Sequence, residues 1–206
     1  MPLHVLTHPL AAHIITHLRD KTTKPATFRT LAHQLTLLLA IEATHDIETE
    51  EKPIDTPLES ITSRVLGPHP LVVVPILRAG LGMVQPFTDL FPDVSVGYVG
   101  LERDHETARA RNYYCKLPPL VGRHVFVVDP MLATGGSAVQ ALTVVKTHGA
   151  TDARLICIVC APEGLAEVEK HHPGTIIHTA AVDRCLNARK YILPGLGDFG
   201  DRLYGT

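Results

Sequence analysis

Residues 125–138 read VFVVDPMLATGGSA, and this stretch decides the fold class. Four apolar residues typical of a buried strand lead into an aspartate, a Thr-Gly-Gly-Ser turn and a helical pattern. Because Gly135 and Gly136 have no side chain, backbone N–H groups and the N-terminus of the next helix can converge on an anion. Thr134 and Ser137 add hydroxyl donors at the same rim. The stretch therefore predicts a phosphate site between a strand and a helix.

An acid stands at the lip of this predicted site. Asp129 comes where the strand ends, and in an open α/β sheet that edge is where ligands bind. A carboxylate there can hold sugar hydroxyls or a divalent cation. Phosphate, sugar and metal are thus all suggested by one segment.

A second apolar strand leads into a loop that carries an arginine. Residues 72–83 read VVVPILRAGLGM, with Arg78 followed by Gly80 and Gly82. The planar guanidinium can take two phosphate oxygens at once, and the glycines let backbone N–H groups approach the same ligand. This loop predicts a second anion contact.

The C-terminal segment, residues 191–206, reads YILPGLGDFGDRLYGT and contains the spacing GxGxxG at Gly195, Gly197 and Gly200. We do not interpret it as a dinucleotide fingerprint, because six residues after Gly200 leave no room for the helix that must follow. An acid about twenty residues further on is missing as well. We expect a tail of exposed backbone that wraps a planar, hydrogen-bonding base.

Between these segments, residues 101–118 read LERDHETARARNYYCKLP. Their first part is charged and has neither a helix nor a strand period, so we expect a long mobile loop.

Composition is that of an ordinary globular protein. Of the 206 residues, 45% are hydrophobic and 19% are charged, and the net charge is -2, which gives no electrostatic footprint for nucleic acid. The N-terminus lacks the pattern of a signal peptide, and no apolar run is long enough to span a bilayer. We expect one domain over residues 1–206, no membrane association and a cytoplasmic location.

Cys157 and Cys160 form a C-x-x-C within a predicted strand. An offset of three in a strand places them on opposite faces, so they are expected to be buried structural thiols and not ligands of one ion. Cys115 and Cys185 are expected to be unpaired.

The order of elements predicts an α/β fold in which a mostly parallel sheet is flanked by helices. Apolar spacing predicts a first helix through Leu10, Ile14 and Leu18 and a longer second one from Phe28 to Leu39. Residues 46–60 read as an extended hairpin arm. Strands are predicted near 71–76, 95–100, 124–129, 154–161 and 176–182, and further helices near 80–90, 136–148 and 163–171.

Segment 125–138 resembles the loop that binds phosphoribosyl pyrophosphate (PRPP) in type I phosphoribosyltransferases, where two acids usually precede Thr-Gly-Gly-Thr or a close variant. Pro130 in place of the second acid, PILRAGLGM in the arginine loop and the C-terminal segment are together similar to uracil phosphoribosyltransferases. The resemblance runs from about His8 to Thr206. It implies the type I fold, with a β-arm, a C-terminal hood over the base and a non-proline cis peptide in the arginine loop.

The resemblance also implies the reaction, transfer of the 5-phosphoribosyl group from PRPP to N1 of uracil with release of pyrophosphate. The positions that match the family's PRPP contacts are Arg78, Arg103, Asp129, Pro130, Met131, Leu132, Ala133, Thr134, Gly135, Gly136, Ser137 and Asp198. Those that match the uracil contacts are Ile192, Gly197, Asp198 and Phe199. Catalytic roles are implied for Arg78, Asp129 and Asp198.

The segment that carries Arg103 departs from the family. Glu106 and Thr107 match a Glu-Thr pair in a flap over the reactants, but Glu102 replaces a usually aromatic residue. Residues 108–112 replace a proline-containing stretch.

Mg2+ is the implied cofactor, bound mainly through PRPP, with Asp129 as the candidate protein ligand. Family members are dimers or larger assemblies and some respond to GTP, so a homo-oligomer is implied and a GTP effector is admitted. Two alternatives stay open: a purine enzyme or PRPP-binding regulator of the same fold, and a catalytically silent member.

Overall fold

The structure, a computed structural model, describes residues 2–67, 71–103 and 110–206. For residues 102, 103 and 110–112 it describes the backbone alone. The matches at Glu106 and Thr107 lie outside the described residues.

The described residues form an alternating α/β chain. The strands are β1 Leu3–Val5, β2 Thr49–Asp55, β3 Ser60–Leu66, β4 Leu71–Leu77, β5 Ser95–Val96, β6 Tyr98–Arg103, β7 Ala110–Lys116, β8 His124–Val128, β9 Met131–Leu132, β10 Asp152–Cys160, β11 Ile177–Val182, β12 Cys185–Leu186 and β13 Ile192–Leu193. The helices are α1 Pro9–Arg19, α2 Pro25–Ala43, α3 Val84–Leu90, α4 Gly136–Thr147, α5 Pro162–His171 and α6 Phe199–Tyr204, and a 3-10 helix, Ala79–Met83, precedes α3.

The central sheet has the order β1-β11-β10-β8-β4-β6-β7, with β5 beside β4 and β9 beside β10. All its described pairs are parallel apart from β6 and β7. The predicted fold class, a mostly parallel sheet flanked by helices, is confirmed.

Helices cover both faces of this sheet, because alternate residues of each central strand point to opposite sides. On one face, Val73, Phe126 and Ile156 pack with α1, α2, α3 and α6. On the other face, Val74 and Val127 pack with α4 and α5. The sheet is therefore buried on both sides, and its strand ends are what remains open to ligands.

The first two helices lie where the sequence predicted them, and each has a proline in its first turn. On α1, Ile14 and Leu18 are buried, whereas Leu10 lies on the exposed side. Phe28 and Leu39 of α2 are fully buried. The predicted arm is the antiparallel pair of β2 and β3, which continues past residue 60 to Leu66.

The expectation of a long loop over residues 101–118 is wrong for most of that range. β6 and β7 pair across it, with Leu101 opposite Asn112 and Arg103 opposite Ala110. The register shifts between Gly100 and Leu101, which hides the strand period from a reading of the sequence. A Cβ on Gly100 would lie 2.7 Å from the Tyr113 ring, so that ring covers the glycine on the neighbouring strand.

The expectation that Cys157 and Cys160 lie on opposite faces is also wrong. The N–H groups of Ile158 and Val159 both donate to the carbonyl of Pro130, at 3.0 and 3.1 Å, so an irregularity of the bulge type interrupts the alternation. Ile158 and Val159 both face the α1–α2 side, and the two cysteines both face the α4–α5 side.

The prediction that these two thiols are buried and unpaired by a disulfide is confirmed. A hydrogen bond with Cys160, together with burial, holds the pKa of the Cys157 thiol well above its ordinary value. Cys115 and Cys185 are free as well. Among the described residues, no three His, Cys, Asp or Glu side chains are grouped as a metal site.

None of the helices in the described ranges is both long and apolar enough to cross a membrane.

Candidate active site

Adjacent parallel strands end at one edge of the sheet and deliver the predicted residues there. Arg78 follows β4, and Asp129 follows β8, which pairs with β4. Asp183 follows β11 at the same edge. This is the edge at which the crossing connections of an α/β sheet leave a crevice for ligands.

The phosphate turn, residues 129–137, joins β8 to α4. Gly135 is the N-cap of α4 and has a φ of 84°, which favours glycine. A Cβ there would lie 2.9 Å from the carbonyl oxygen of Gly164 in α5, so the turn packs directly against that helix. The N-terminus of a twelve-residue helix thus opens at the sheet edge, as an anion site requires.

Backbone pairing fixes the first half of the turn. β9, formed by Met131 and Leu132, pairs in parallel with the C-terminal end of β10, and the Leu132 carbonyl accepts from the N–H of Ala161 at 2.9 Å. Pro130 is buried, and its carbonyl binds β10. The turn is therefore held in place before any ligand binds.

Asp129 is partly buried at the lip of the turn. Burial raises the pKa of its carboxyl to about 7, against the opposing effect of the Met131 N–H that donates to it. Within the described part of the chain, no cationic side chain offsets this burial. A carboxyl in this setting suits a ligand that brings hydroxyl donors or a cation.

The arginine loop turns sharply after β4. The Leu77–Arg78 peptide is cis, as the family resemblance implied, and the 3-10 helix follows at once. The Arg78 side chain is exposed, and its guanidinium has no hydrogen-bond or ion-pair partner among the described residues. A Cβ on Gly80 would lie 2.5 Å from the carbonyl oxygen of Val128, so the loop is pressed against the end of β8.

The base hood, residues 185–206, consists of β12, β13, the following loop and α6. Its Leu193–Pro194 peptide is cis, and Gly195 and Gly197 have φ values of 61° and 83°. The expectation that no helix can follow Gly200 is wrong, because α6 begins at Phe199.

A cap and a buried face explain why so short a helix forms. The Asp198 side chain caps α6 by accepting from the N–H of Asp201 at 3.0 Å. Phe199 and Leu203 are buried against α2 and the 3-10 helix, and Phe199 meets Phe28 edge to face at 5.1 Å between ring centroids. A six-residue helix is stable here because of tertiary packing and not because of its own propensity.

Two adjoining cavities lie at this edge. The first, of about 220 Å³, brings together all three segments that the sequence singled out. Its lining residues are Ala79, Met131, Ala133, Lys190, Tyr191, Ile192, Gly197, Asp198, Phe199 and Gly200. The second, of about 190 Å³, is lined by Asp129, Met131, Leu132, Ala133, Thr134, Gly135, Ser137 and Ala138. Met131 and Ala133 belong to both, so the two cavities share a wall.

The predicted site residues divide accordingly. All four positions that match uracil contacts line the first cavity, and most of the phosphate turn lines the second. Arg78, Pro130 and Gly136 line neither, although each is next in sequence to a residue that does. The side chain of Arg103 lies outside the description.

Sequence reasoning missed Lys190 and Tyr191 at the rim of the first cavity. Lys190 is the only described non-glycine residue with a positive φ, 67°, in a turn where Asn187 accepts from the N–H groups of Arg189 and Tyr191. An Asn that begins a short apolar hairpin is the signal that could have identified this turn.

Comparison with known proteins agrees with this geometry. A hypoxanthine phosphoribosyltransferase from Trypanosoma cruzi, 12% identical, superposes with a TM-score of 0.52 over 79% of this chain and 77% of its own, a likeness of fold. A solved structure of a protein from Aquifex aeolicus, 37% identical, superposes with a TM-score of 0.94 over 99% of this chain and 98% of its own.

The sheet order, the turn after β8 and the sheet-edge cavities are those of the type I phosphoribosyltransferase fold. The family model described as uracil phosphoribosyltransferase matches residues 5–206, and a uracil phosphoribosyltransferase from Bacillus licheniformis is 50% identical over 99% of this chain and 98% of its own. The chain belongs to the uracil phosphoribosyltransferase family.

Proposed function

We propose that this protein transfers the 5-phosphoribosyl group from PRPP to N1 of uracil, giving UMP and pyrophosphate. The observation that carries the proposal is the pair of cavities that share Met131 and Ala133, one walled by the base hood and the other by the phosphate turn. UMP has a flat base at one end and a phosphate at the other, with a ribose between them. A site of this shape suits that product.

The phosphate turn would hold the 5-phosphate. Backbone N–H groups of Gly135 and Gly136 open at the N-terminus of α4, and the hydroxyls of Thr134 and Ser137 stand beside them. This end of the substrate does not react. Its binding energy serves to orient the ribose for attack.

Arg78 would bind the departing pyrophosphate. The bond to pyrophosphate weakens ahead of the new bond to nitrogen, so negative charge grows on the leaving group while positive charge grows on the ribose. An exposed guanidinium at the end of β4 can neutralise the first of these charges with two parallel hydrogen bonds. Arg103, at the end of β6, is proposed as a second contact on family resemblance alone.

Backbone groups of the base hood would recognise uracil. Ile192, Gly197, Asp198 and Phe199 line the first cavity, in which the main chain of Gly197, a glycine with positive φ, is close to the space for the base. Carbonyl and N–H groups of a fixed main chain can match the donor and acceptor edge of a pyrimidine.

Asp198 has a structural task besides its proposed contact with substrate. Its Oδ1 accepts from the N–H of Asp201, which caps α6. The carboxylate is therefore held at the cavity by the helix it caps. We propose that it orients the ribose and the base, and that it can accept the N1 proton of uracil.

Mg2+ is proposed as the cofactor, because the donor set fits a cation held mainly by the substrate. Asp129 offers one partly buried carboxylate at the lip of the phosphate turn, and oxygen ligands are what Mg2+ prefers. When bound with PRPP, the ion would neutralise charge on the pyrophosphate oxygens.

A homo-oligomer is proposed as well. The arm formed by β2 and β3 is exposed apart from the partly buried Ser63 and Val65, and it carries the exposed apolar residues Ile54, Leu58 and Ile61. A two-stranded hairpin on its own is marginally stable in water, which supports the proposal that a partner subunit covers the arm. Activation by GTP and a cytoplasmic location stay predictions from the sequence.

The proposal is tested by measuring UMP formation from uracil and PRPP with Mg2+, beside orotate, hypoxanthine, adenine and xanthine, and again with a chelator. Uracil-selective, metal-dependent turnover is the expected result. Turnover with a purine base would show that the substrate belongs to another class. PRPP binding without turnover of any base would favour a regulator or a catalytically silent member.

A further inference from the structure

A buried ion pair lies behind the base hood, outside both cavities. Arg19, the last residue of α1, donates through Nη2 to Oδ1 of Asp183 at 2.6 Å and through Nη1 to Oδ2 at 2.8 Å. The Asp183 side chain is 3% exposed and that of Arg19 is 24% exposed. A two-pronged pair in this setting has a defined geometry, unlike an ion pair on the surface.

The same pair holds both polar groups of one hood residue. The Gly195 N–H donates to Oδ2 of Asp183 at 2.8 Å, and the Gly195 carbonyl accepts from Nη1 of Arg19 at 2.8 Å. A Cβ on Gly195 would lie 2.3 Å from the carbonyl oxygen of Ile192, so this glycine is also pressed against the strand beside it. Arg19, Asp183 and the Ile192 carbonyl thus fix the main chain at Gly195, which lies between Ile192 and Gly197 in sequence.

Those two flanking residues both line the first cavity, whereas Arg19 and Asp183 do not. The pair is also anchored independently of the hood. Asp183 follows β11, and its N–H donates to the carbonyl of Cys160 at 2.8 Å, while Arg19 belongs to α1. The sheet edge and the first helix therefore meet in one contact that grips the hood from behind.

We propose that Arg19 and Asp183 are positioning residues that fix the conformation of the base hood and thereby set the affinity for uracil. The inference rests on the proposed function and adds to it the residues that act through the hood. Neither side chain touches substrate. Their effect is on the main-chain groups of Ile192 and Gly197, which lie within three residues of the Gly195 peptide in sequence.

The consequence is selective for the base. PRPP is proposed to be held mainly by the phosphate turn and the arginine loop, which Arg19 and Asp183 do not contact among the hydrogen bonds of the described residues. Asp198 is the one hood residue proposed to contact PRPP as well, and its carboxylate is held separately, by the Asp201 N–H from which it accepts. Displacement of a binding group by about 1 Å can change a rate by up to about a hundredfold, so loosening the hood should raise the KM for uracil by about tenfold. The KM for PRPP should stay within about twofold.

The test uses two charge-neutralising variants, Arg19→Gln and Asp183→Asn, and the double variant. Each single change breaks the two-pronged pair and leaves the other charge without its partner. We expect each to raise the KM for uracil by about tenfold with little change in kcat, and the double variant to be no worse than the worse single variant, because both act on one contact.

Amide hydrogen exchange supplies a measurement that does not depend on turnover. The Gly195 amide and the peptide spanning residues 192–199 should exchange faster in both single variants than in the unmodified protein. The matched control is Asp46→Asn, in another part of the fold. Asp46 accepts from the buried Arg154 at 2.6 Å, so this change also weakens a buried ion pair. The control should lower the unfolding temperature and leave both the KM for uracil and the exchange of the hood unchanged.

Two results would overturn the proposal. One is unchanged exchange of the hood in Arg19→Gln and Asp183→Asn. The other is faster exchange with an unchanged KM for uracil, or with KM values for uracil and PRPP that rise together. If the unmodified chain makes no UMP, the proposed function fails, while the exchange data still decide whether the pair holds the hood.

Discussion

The phosphate turn is built almost entirely from its own neighbours in sequence, whereas the base hood is held by helices from the other end of the chain. The turn lies between β8 and α4 and leans on β10 and α5, which follow directly. The hood is bound by Arg19 and by carbonyls of Leu18 and Asp20, more than 160 positions away. One half of the site is local in sequence and the other is not.

Because of this difference, the two proposed binding functions are expected to be sensitive to changes in different parts of the chain. A change inside residues 129–137 should act on PRPP directly. The grip on uracil, by contrast, should be sensitive to residues of α1 and α2 that a search for motifs would ignore. The two halves can therefore be disturbed one at a time.

The largest effect is expected from Gly135→Ala. The new methyl group would lie 2.9 Å from the carbonyl oxygen of Gly164, at a φ of 84° that disfavours any side chain. Since the turn must move, we expect kcat/KM for PRPP to fall by about a hundredfold or more, as for a displaced anchoring group. Initial rates at varied PRPP measure this.

Gly174→Ala is the control for that variant. Gly174 has a similar φ, 78°, but nothing lies within 4 Å of the position that its new methyl group would take. This variant should lose about 1–2 kcal/mol of stability from the left-handed backbone and keep its kinetics. Equal kinetic losses in the two variants would contradict a specific role for the turn.

A smaller effect, confined to the base, is expected from Arg202→Ala. Arg202 donates to the carbonyls of Leu18, Leu196 and Asp20 and lies over the Phe28 ring at 4.5 Å. Its loss removes one donor from each of these carbonyls, at about 1–3 kcal/mol for a buried one that is left without any donor, whereas the Asp20 carbonyl still accepts from the Thr23 N–H at 3.1 Å. We expect a lower unfolding temperature and a KM for uracil raised by roughly tenfold, with PRPP unaffected.

Lys21→Ala, which removes an exposed cation from the turn after α1, is the control for Arg202→Ala. We expect Lys21→Ala to change neither the KM for uracil nor the KM for PRPP. If Arg202→Ala raised the KM for PRPP as much as the KM for uracil, the two halves of the site would not act separately.

The smallest effect is expected far from both halves, at His178. This buried residue stacks on His4 at 4.8 Å between ring centroids, and its ring nitrogens have no hydrogen-bond partner among the described residues. Burial lowers its pKa to about 4, and His4 and Arg154 act in the same direction, while Asp46 opposes them.

Because the folded-state pKa lies below that of the unfolded chain, the unfolded state binds the proton more tightly. The stability that the neutral ring provides is complete above about pH 6.5 and is lost as the pH falls from there towards 4. At pH 5 this loss is about 2 kcal/mol. His178→Phe should reduce the drop in the free energy of unfolding between pH 8 and pH 5 by that amount, as measured with urea, and an unchanged drop would contradict the assignment.

The same contrast explains what the sequence could predict. The phosphate turn is legible because strand, glycines and helix follow one another within 14 residues, 125–138. The pairing of β6 with β7 could not be predicted because a register shift breaks the strand period. The shared face of Cys157 and Cys160 could not be predicted because one carbonyl accepts from two successive N–H groups and so interrupts the alternation.

The hood was predicted only in part, for the same physical reason. Its glycines and its apolar residues are visible in the sequence, but α6 depends on packing against Phe28, and Gly195 depends on Arg19 and Asp183. Contacts between residues so far apart leave no local pattern. They could not be inferred without the fold.

The most direct test of the whole account is a crystal structure of the protein with UMP. We expect one molecule across both cavities, with its phosphate at the N–H groups of Gly135 to Ser137 and its base between Met131 and the main chain of Ile192 and Gly197. A base bound outside the hood, or a phosphate bound away from the start of α4, would contradict the claim that the two cavities form a single site.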